Sequence, residues 1–110
     1  MPQVSSIQEI FENMDEGFNP AQAKGVDAIF QFMMTGENGG QYWIRVANQQ
    51  VEVQEGEHEA PTMTLTAAAD DYIAVVNGDL PAMTAFMQGK VKVKGDMGLA
   101  LKLQAMFDLG

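Results

Sequence analysis

Apolar and polar residues take turns along several short stretches of this chain, most strictly at Lys90-Val91-Lys92-Val93-Lys94. A two-residue period places every apolar side chain on one face of an extended strand, whereas in a helix it would scatter them around the axis. Such stretches must therefore pair into a sheet with one buried face. The same alternation runs through Val26, Ala28, Phe30 and Phe32, with Asp27 and Gln31 on the opposite face, and again through Tyr42, Ile44 and Val46. Between them, the glycines of TGENGG (residues 35–40) suit a hairpin loop, so these two strands should pair antiparallel. A tight turn at Asn48 to Gln50 returns the chain into Val51 and Val53. Met63 and Leu65, alternating with Thr62, Thr64 and Thr66, supply the next strand, and residues 90–94 the fifth.

Helical spacing occupies the remainder. Ser6 followed by Glu9 makes a capping box ahead of Ile7, Ile10, Phe11 and Met14, which predicts a helix over residues 6–16. Thr66 is placed to cap a helix carrying Tyr72, Ile73 and Val76 as far as Asn77-Gly78, and Asp79 to cap another carrying Met83, Phe86 and Met87. Asp96 can cap a last helix that runs to about Phe107. The sum is a single α+β domain over residues 1–110, with one sheet and the helices gathered on its apolar face.

Composition narrows the chemistry. The formal charge of −9 opposes nucleic-acid binding, which needs a continuous positive surface, so no nucleic-acid partner is expected. The sequence has no cysteine, which excludes disulfides, thiolate zinc sites and cysteine nucleophiles. Residues 1–10 lack the basic start and apolar stretch of a secretory signal, and the apolar runs are too short to span a bilayer; a cytoplasmic location is expected.

Catalysis finds little material. His58, in the run EGEHE, is the single histidine, and a solvated loop position suits it better than a general base; Ser5 and Ser6 are better used near the first helix cap. Glu55, Glu57, His58 and Glu59 are ordinary metal ligands by type, but no second cluster completes a coordination shell, and no metal site is expected. Gly89-Lys90 fails as a phosphate loop, because Thr84 stands where the first glycine belongs and Val91 where a hydroxyl would hold magnesium.

Two features point elsewhere. Lys90, Lys92 and Lys94 project from one face of a strand whose other face is apolar. Protruding lysine protects a sheet edge from aggregation, and it would also serve contact with an anionic membrane surface. In the last helix, at about 100° per residue, Leu99, Ala100, Leu103, Met106 and Phe107 share one arc, while Met97 and Leu101 point away from it. One sheet contact cannot bury both groups: the helix is sandwiched, its second flank lines a cavity, or that flank rests on another protomer. Nine methionines fit either a methionine-rich core or a lipid pocket.

The segment "AFMQGKVKVKGDMGLALKLQAMF", residues 85–107, closely resembles the C-terminal signature of the sterol carrier protein 2 family, the non-specific lipid-transfer proteins. The resemblance extends upstream through "TMTLTAAADDYIAVVNGDLPAMTAF" and, more loosely, through the strand containing FQF and through "YWIRVANQQ". It implies a five-stranded, mostly antiparallel sheet with helices covering one face and an apolar tunnel between them. The tunnel would take fatty acids, fatty acyl-coenzyme A, sterols or phospholipids, with no catalytic residue and no cofactor. Carried over, its walls would be Phe30 and Phe32, Met63 and Leu65, and Ile73 and Val76. Met83, Phe86, Met87, Leu99, Leu103, Met106 and Phe107 would complete the enclosure. The sequence ends at Leu109-Gly110 without the peroxisomal tripeptide of animal members, which is expected to leave the mouth near Phe107 open, or closed by a partner chain as in a homodimer. The last helix is expected to loosen at that mouth to admit ligand. The alternative is a structural or regulatory module that docks a partner protein or enzyme through Met97 and Leu101.

Overall fold

The Ser6 hydroxyl accepts a hydrogen bond from the Glu9 amide at 3.1 Å and starts helix α1, Ile7–Glu12. The computed structural model describes residues 4–107; the chain end at Leu109-Gly110, named in the expectation of an open mouth, lies outside them. Helix α1 stops well before residue 16, because the Asn13 side chain donates to the Glu9 carbonyl at 2.9 Å and competes with the next helical turn. The apolar spacing still serves its purpose, since Ile7, Ile10, Phe11 and Met14 are all buried.

All five expected strands form: β1 Ala28–Thr35, β2 Gly40–Ala47, β3 Gln50–Glu55, β4 Met63–Ala68 and β5 Val91–Gly95. Their order across the sheet is β3-β2-β1-β4-β5. Neighbours are antiparallel except β1 and β4, which run parallel with Phe30 opposite Met63 and Phe32 opposite Leu65. Between β2 and β3, Asn48 and Gln49 both adopt positive φ, 53° and 60°, as a two-residue turn matched to strand twist requires.

Parallel pairing of β1 and β4 obliges the chain to cross the sheet between β3 and β4, and this crossing changes the role of Gln31. Expected on a solvated face, Gln31 is buried beneath residues 56–58. Its Nε2 donates to the carbonyls of Tyr42 and Gly56 at 3.0 and 3.1 Å, and its Oε1 accepts from the His58 amide at 2.7 Å. The expectation of a solvated His58 is likewise corrected: its ring is half-buried, edge-on to Trp43 at 4.8 Å, and its Nδ1 accepts from the Ala60 amide.

Two expected helix caps do not form. Thr66 does not cap α2, because it pairs with Met33 of β1 on one side and Lys92 of β5 on the other; strand pairing carries the chain to Ala68, and α2 spans Ala69–Val76. Asp70 and Asp71 then sit in its first turn, where the helix dipole favours them. Asp79 is similarly drawn back onto α2, its amide donating to the Ala74 carbonyl, and α3, Ala82–Met87, starts from Pro81. Asp96 does cap α4, Met97–Met106, accepting from the Gly98 amide at 2.8 Å. Before it, Gly95 has φ +103° and a methyl group there would stand 2.7 Å from the Thr62 carbonyl oxygen, so the step from β5 to α4 requires glycine.

The result is the expected α+β architecture, a mostly antiparallel sheet with the helices on one face. Phe30, Phe32, Ile44, Val46 and Met63 point into the layer beneath the helices and are almost wholly buried. Phe11 of α1 closes one end, stacked on Tyr42 at 4.3 Å and edge-on to Phe32 at 5.0 Å. Among the described residues no helix is long and apolar enough to cross a membrane.

Candidate functional site

At the other end of the layer the helices fit the sheet less completely. Helix α3 has only six residues, and Ala85 is the one it buries. Helix α4 seats its second half firmly, with Leu103 and Met106 buried, but its first half stands off, with Met97 46% and Leu101 61% exposed. Between them lies an apolar cavity of about 120 Å³. Its floor is Leu65 of β4 with Val91 and Val93 of β5, and its inner wall is Tyr72 and Val75 of α2. Ala82, Met83 and Phe86 of α3 face Met97, Ala100, Leu101, Leu103 and Gln104 of α4 across the opening.

The cause lies in the residues. Alternation along β5 turns Val91 and Val93 toward the cavity and Lys92 and Lys94 to the opposite face. Small side chains at Ala82 and Ala100 leave unfilled the space that larger ones would close. The lips are conspicuously apolar: Met83 is 56% exposed and Phe86 38%, beside Met97 and Leu101. Scattered exposed apolar residues are ordinary on a protein surface, but four converging on one opening leave a surface that an apolar occupant would cover. Among the described residues β5 pairs with β4 alone and is a sheet edge, and its exposed lysines are placed to discourage strand addition there.

Of the residues expected to enclose a ligand, Leu65, Met83, Phe86 and Leu103 come together around this cavity. Phe30, Phe32, Met63, Val76, Met106 and Phe107 do not line it and are instead packed in the core, the first three from the sheet and the others from α2 and the far end of α4. Ile73 and Leu99 are half-buried against that core, and Met87 stands 79% exposed on the outside of α3. The expected mouth near Phe107 is corrected. Phe107 is buried, its ring 5.3 Å from that of Phe18, and the Met106 carbonyl accepts from the Asn19 amide at 2.7 Å, so this end of α4 is closed by its own chain.

The opening is at Met97 and Leu101, the flank that the helical wheel set apart. Val91 and Val93 were legible as an inward strand face but not as a cavity floor. Tyr72, Val75, Ala82 and Gln104 carried no separate signal, because a short helix shows its apolar face without showing what that face meets. Tyr72 differs from the other wall residues. It is buried, its ring lies against Phe32 at 6.0 Å, and its hydroxyl has no hydrogen-bond partner among the described residues. Burial pushes the phenol well above its ordinary pKa, so the hydroxyl keeps its proton. No cluster of three or more potential metal ligands occurs among the described residues.

Comparison with known proteins is consistent with this geometry. The model of the SCP-2 sterol transfer family matches residues 7–108. The hydroxysteroid dehydrogenase-like protein 2 of Xenopus laevis is 35% identical over 101 residues, covering 91% of this chain but 24% of that protein. The chain thus spans about a quarter of the length of the curated relatives it matches. Among solved structures, palmitated SCP2L2 from Aedes aegypti is 26% identical with a TM-score of 0.72, over 92% of this chain and 93% of that one. The sec-alkylsulfatase Pisa1 from Pseudomonas sp. has a TM-score of 0.81 at 16% identity, over 97% of this chain and 17% of that one, which is a likeness of fold.

Proposed function

Because the chain belongs to the SCP-2 sterol transfer family, we propose that it binds and carries long apolar ligands, of the class of fatty acids, fatty acyl-coenzyme A, sterols or phospholipids, without catalysing a reaction on them. The observation that carries this reading is the apolar cavity between α3 and α4 with its exposed apolar lips. Each Å² of apolar surface a ligand buries there is worth about 25 cal/mol. The palmitated relative supports an acyl chain as one occupant. At about 120 Å³ the cavity is smaller than the roughly 300 Å³ at which small-molecule pockets begin, so α3 and the first half of α4 part to admit a full-length chain. Leu65, Met83, Phe86 and Leu103 contact that chain first, joined by Met97 and Leu101. Transient contact with an anionic membrane surface is made through the lysine-bearing sheet edge, Lys90, Lys92 and Lys94.

Displacement of a fluorescent fatty acid from delipidated protein tests the carrier reading, together with native mass spectrometry of protein taken from cells. Retained lipid and saturable displacement are expected. Delipidated protein that neither retains nor displaces any acyl or sterol ligand ends the proposal.

A second reading is favoured by one observation: the dehydrogenase-like relative and the sulfatase are both much longer chains in which a unit like this one is a minor part. In that reading the flank of Met97 and Leu101 docks an enzyme domain or a second copy of the chain. Sedimentation separates the two. Docking between copies requires a concentration-dependent dimer that Leu101→Asp dissolves, whereas a monomer at every concentration that still binds lipid favours the carrier.

A further inference from the structure

A hydroxyl buried without a partner is a standing cost, and natural cores rarely keep one without a use. Phenylalanine would supply the same ring at Tyr72, against Phe32 and the cavity, without that cost. The remaining lining is apolar apart from Gln104, which is exposed at the rim. Among the described residues no lysine, arginine or histidine lines the cavity, so a carboxylate drawn inside would be buried with no countercharge from them. A neutral oxygen would meet the opposite situation, a protonated phenol with no competing acceptor.

We infer that Tyr72 is the inner polar anchor of the cavity, its hydroxyl donating a hydrogen bond to a neutral acceptor oxygen of the ligand. This rests on the carrier reading and sharpens it. The preferred ligand is an apolar body bearing a ketone, ester or hydroxyl oxygen that enters oxygen first, while a fatty acid enters chain first and leaves its carboxylate at the rim. The anchor acts as a specificity-determining residue: it adds little to the affinity for hydrocarbon and discriminates between ligands equal in shape.

The test uses a long-chain methyl ketone and its methylidene isostere, in which CH₂ replaces the carbonyl oxygen. Each competes against a fluorescent fatty acid on the wild-type chain and on Tyr72→Phe. The wild type is expected to prefer the ketone by about five- to tenfold, the range one neutral hydrogen bond supplies. Tyr72→Phe should abolish or reverse that preference, because the ketone oxygen is then buried unpaired, leave the isostere's affinity unchanged, and keep or raise the thermal midpoint of the unliganded protein. With ¹³C at the carbonyl, the bound ketone's resonance should lie further downfield in the wild type than in the variant. Equal preference in both proteins, an unshifted resonance, or a lowered midpoint in Tyr72→Phe overturns the anchor. If the wild type binds the fluorescent fatty acid but neither competitor, the anchor fails and the carrier reading stands; if it does not bind the fatty acid, the carrier reading fails first.

Discussion

Ala100→Phe is expected to weaken displacement of a fluorescent fatty acid by at least tenfold while leaving the fold intact. Ala100 lies half-buried on α4 where the helix crosses the cavity, facing α3. A phenyl ring projected from that position occupies the space between Leu65, Val93 and Phe86 that an acyl chain would enter. Overpacking a filled core costs about 1–3 kcal/mol. Here the ring enters unfilled space beside an opening and covers exposed apolar lips, so the change in unfolding free energy should stay within about 1 kcal/mol. Titration of the ligand and a chemical melt on the same preparation read both quantities. A variant that binds as tightly as the wild type would move the ligand site away from this cavity, whatever the fate of the carrier proposal.

Phe107→Ala is expected to do the reverse: to destabilise the protein by about 3–5 kcal/mol and to spare ligand affinity in the fraction that remains folded. The ring is almost wholly buried, packed on Phe18, and its backbone bridges to Phe18 beside the hydrogen bond from the Asn19 amide to the Met106 carbonyl. Removing it leaves a void and takes away the ring packing on Phe18, so that only backbone bonds hold the end of α4 to that segment. Against a typical total of about 5–15 kcal/mol, that is a substantial fraction of all the stability the domain has. Because Phe107 does not border the cavity, affinity measured well below the melting transition should change less than twofold. A tenfold loss of affinity with the fold retained would instead place Phe107 in a ligand tunnel, as the family resemblance implies.

Together the two substitutions divide α4 by function. Its far end is structural, held by Met106 and by Phe107 just beyond it, Leu103 serves both core and cavity, and its first half, with Met97 and Leu101, is the mobile side of an opening under the carrier proposal. The same division explains why the helical wheel showed two apolar arcs where one would suffice for packing.

Features that depend on neighbours in sequence were legible from sequence. Ser6 and Asp96 cap their helices because a side-chain oxygen and an amide two or three residues on need nothing further to meet. The strands follow from alternation, and the β2–β3 turn from its length. Thr66 and Asp79 have the right chemistry to cap helices, yet β1 and β5 hold Thr66 in the sheet and α2 takes the Asp79 amide. Local preference is worth a few tenths of a kcal/mol to about 1 kcal/mol and yields to strand pairing and packing.

By itself the sequence determined which residues of a strand or helix share a face, because the periods of strand and helix are properties of the backbone, and it placed Lys92 and Lys94 opposite Val91 and Val93 for the same reason. Only the tertiary structure decided what the inward residues meet. A parallel β1–β4 pair sent residues 56–58 across the polar face and buried Gln31. A short α3 and an α4 buried only through its second half left Leu65, Met83, Phe86 and Leu103 around a cavity while Phe30, Phe32 and Phe107 closed into solid core. Whether an apolar side chain faces a neighbour or a space depends on how elements distant in sequence fit together, and no period within one element carries that information.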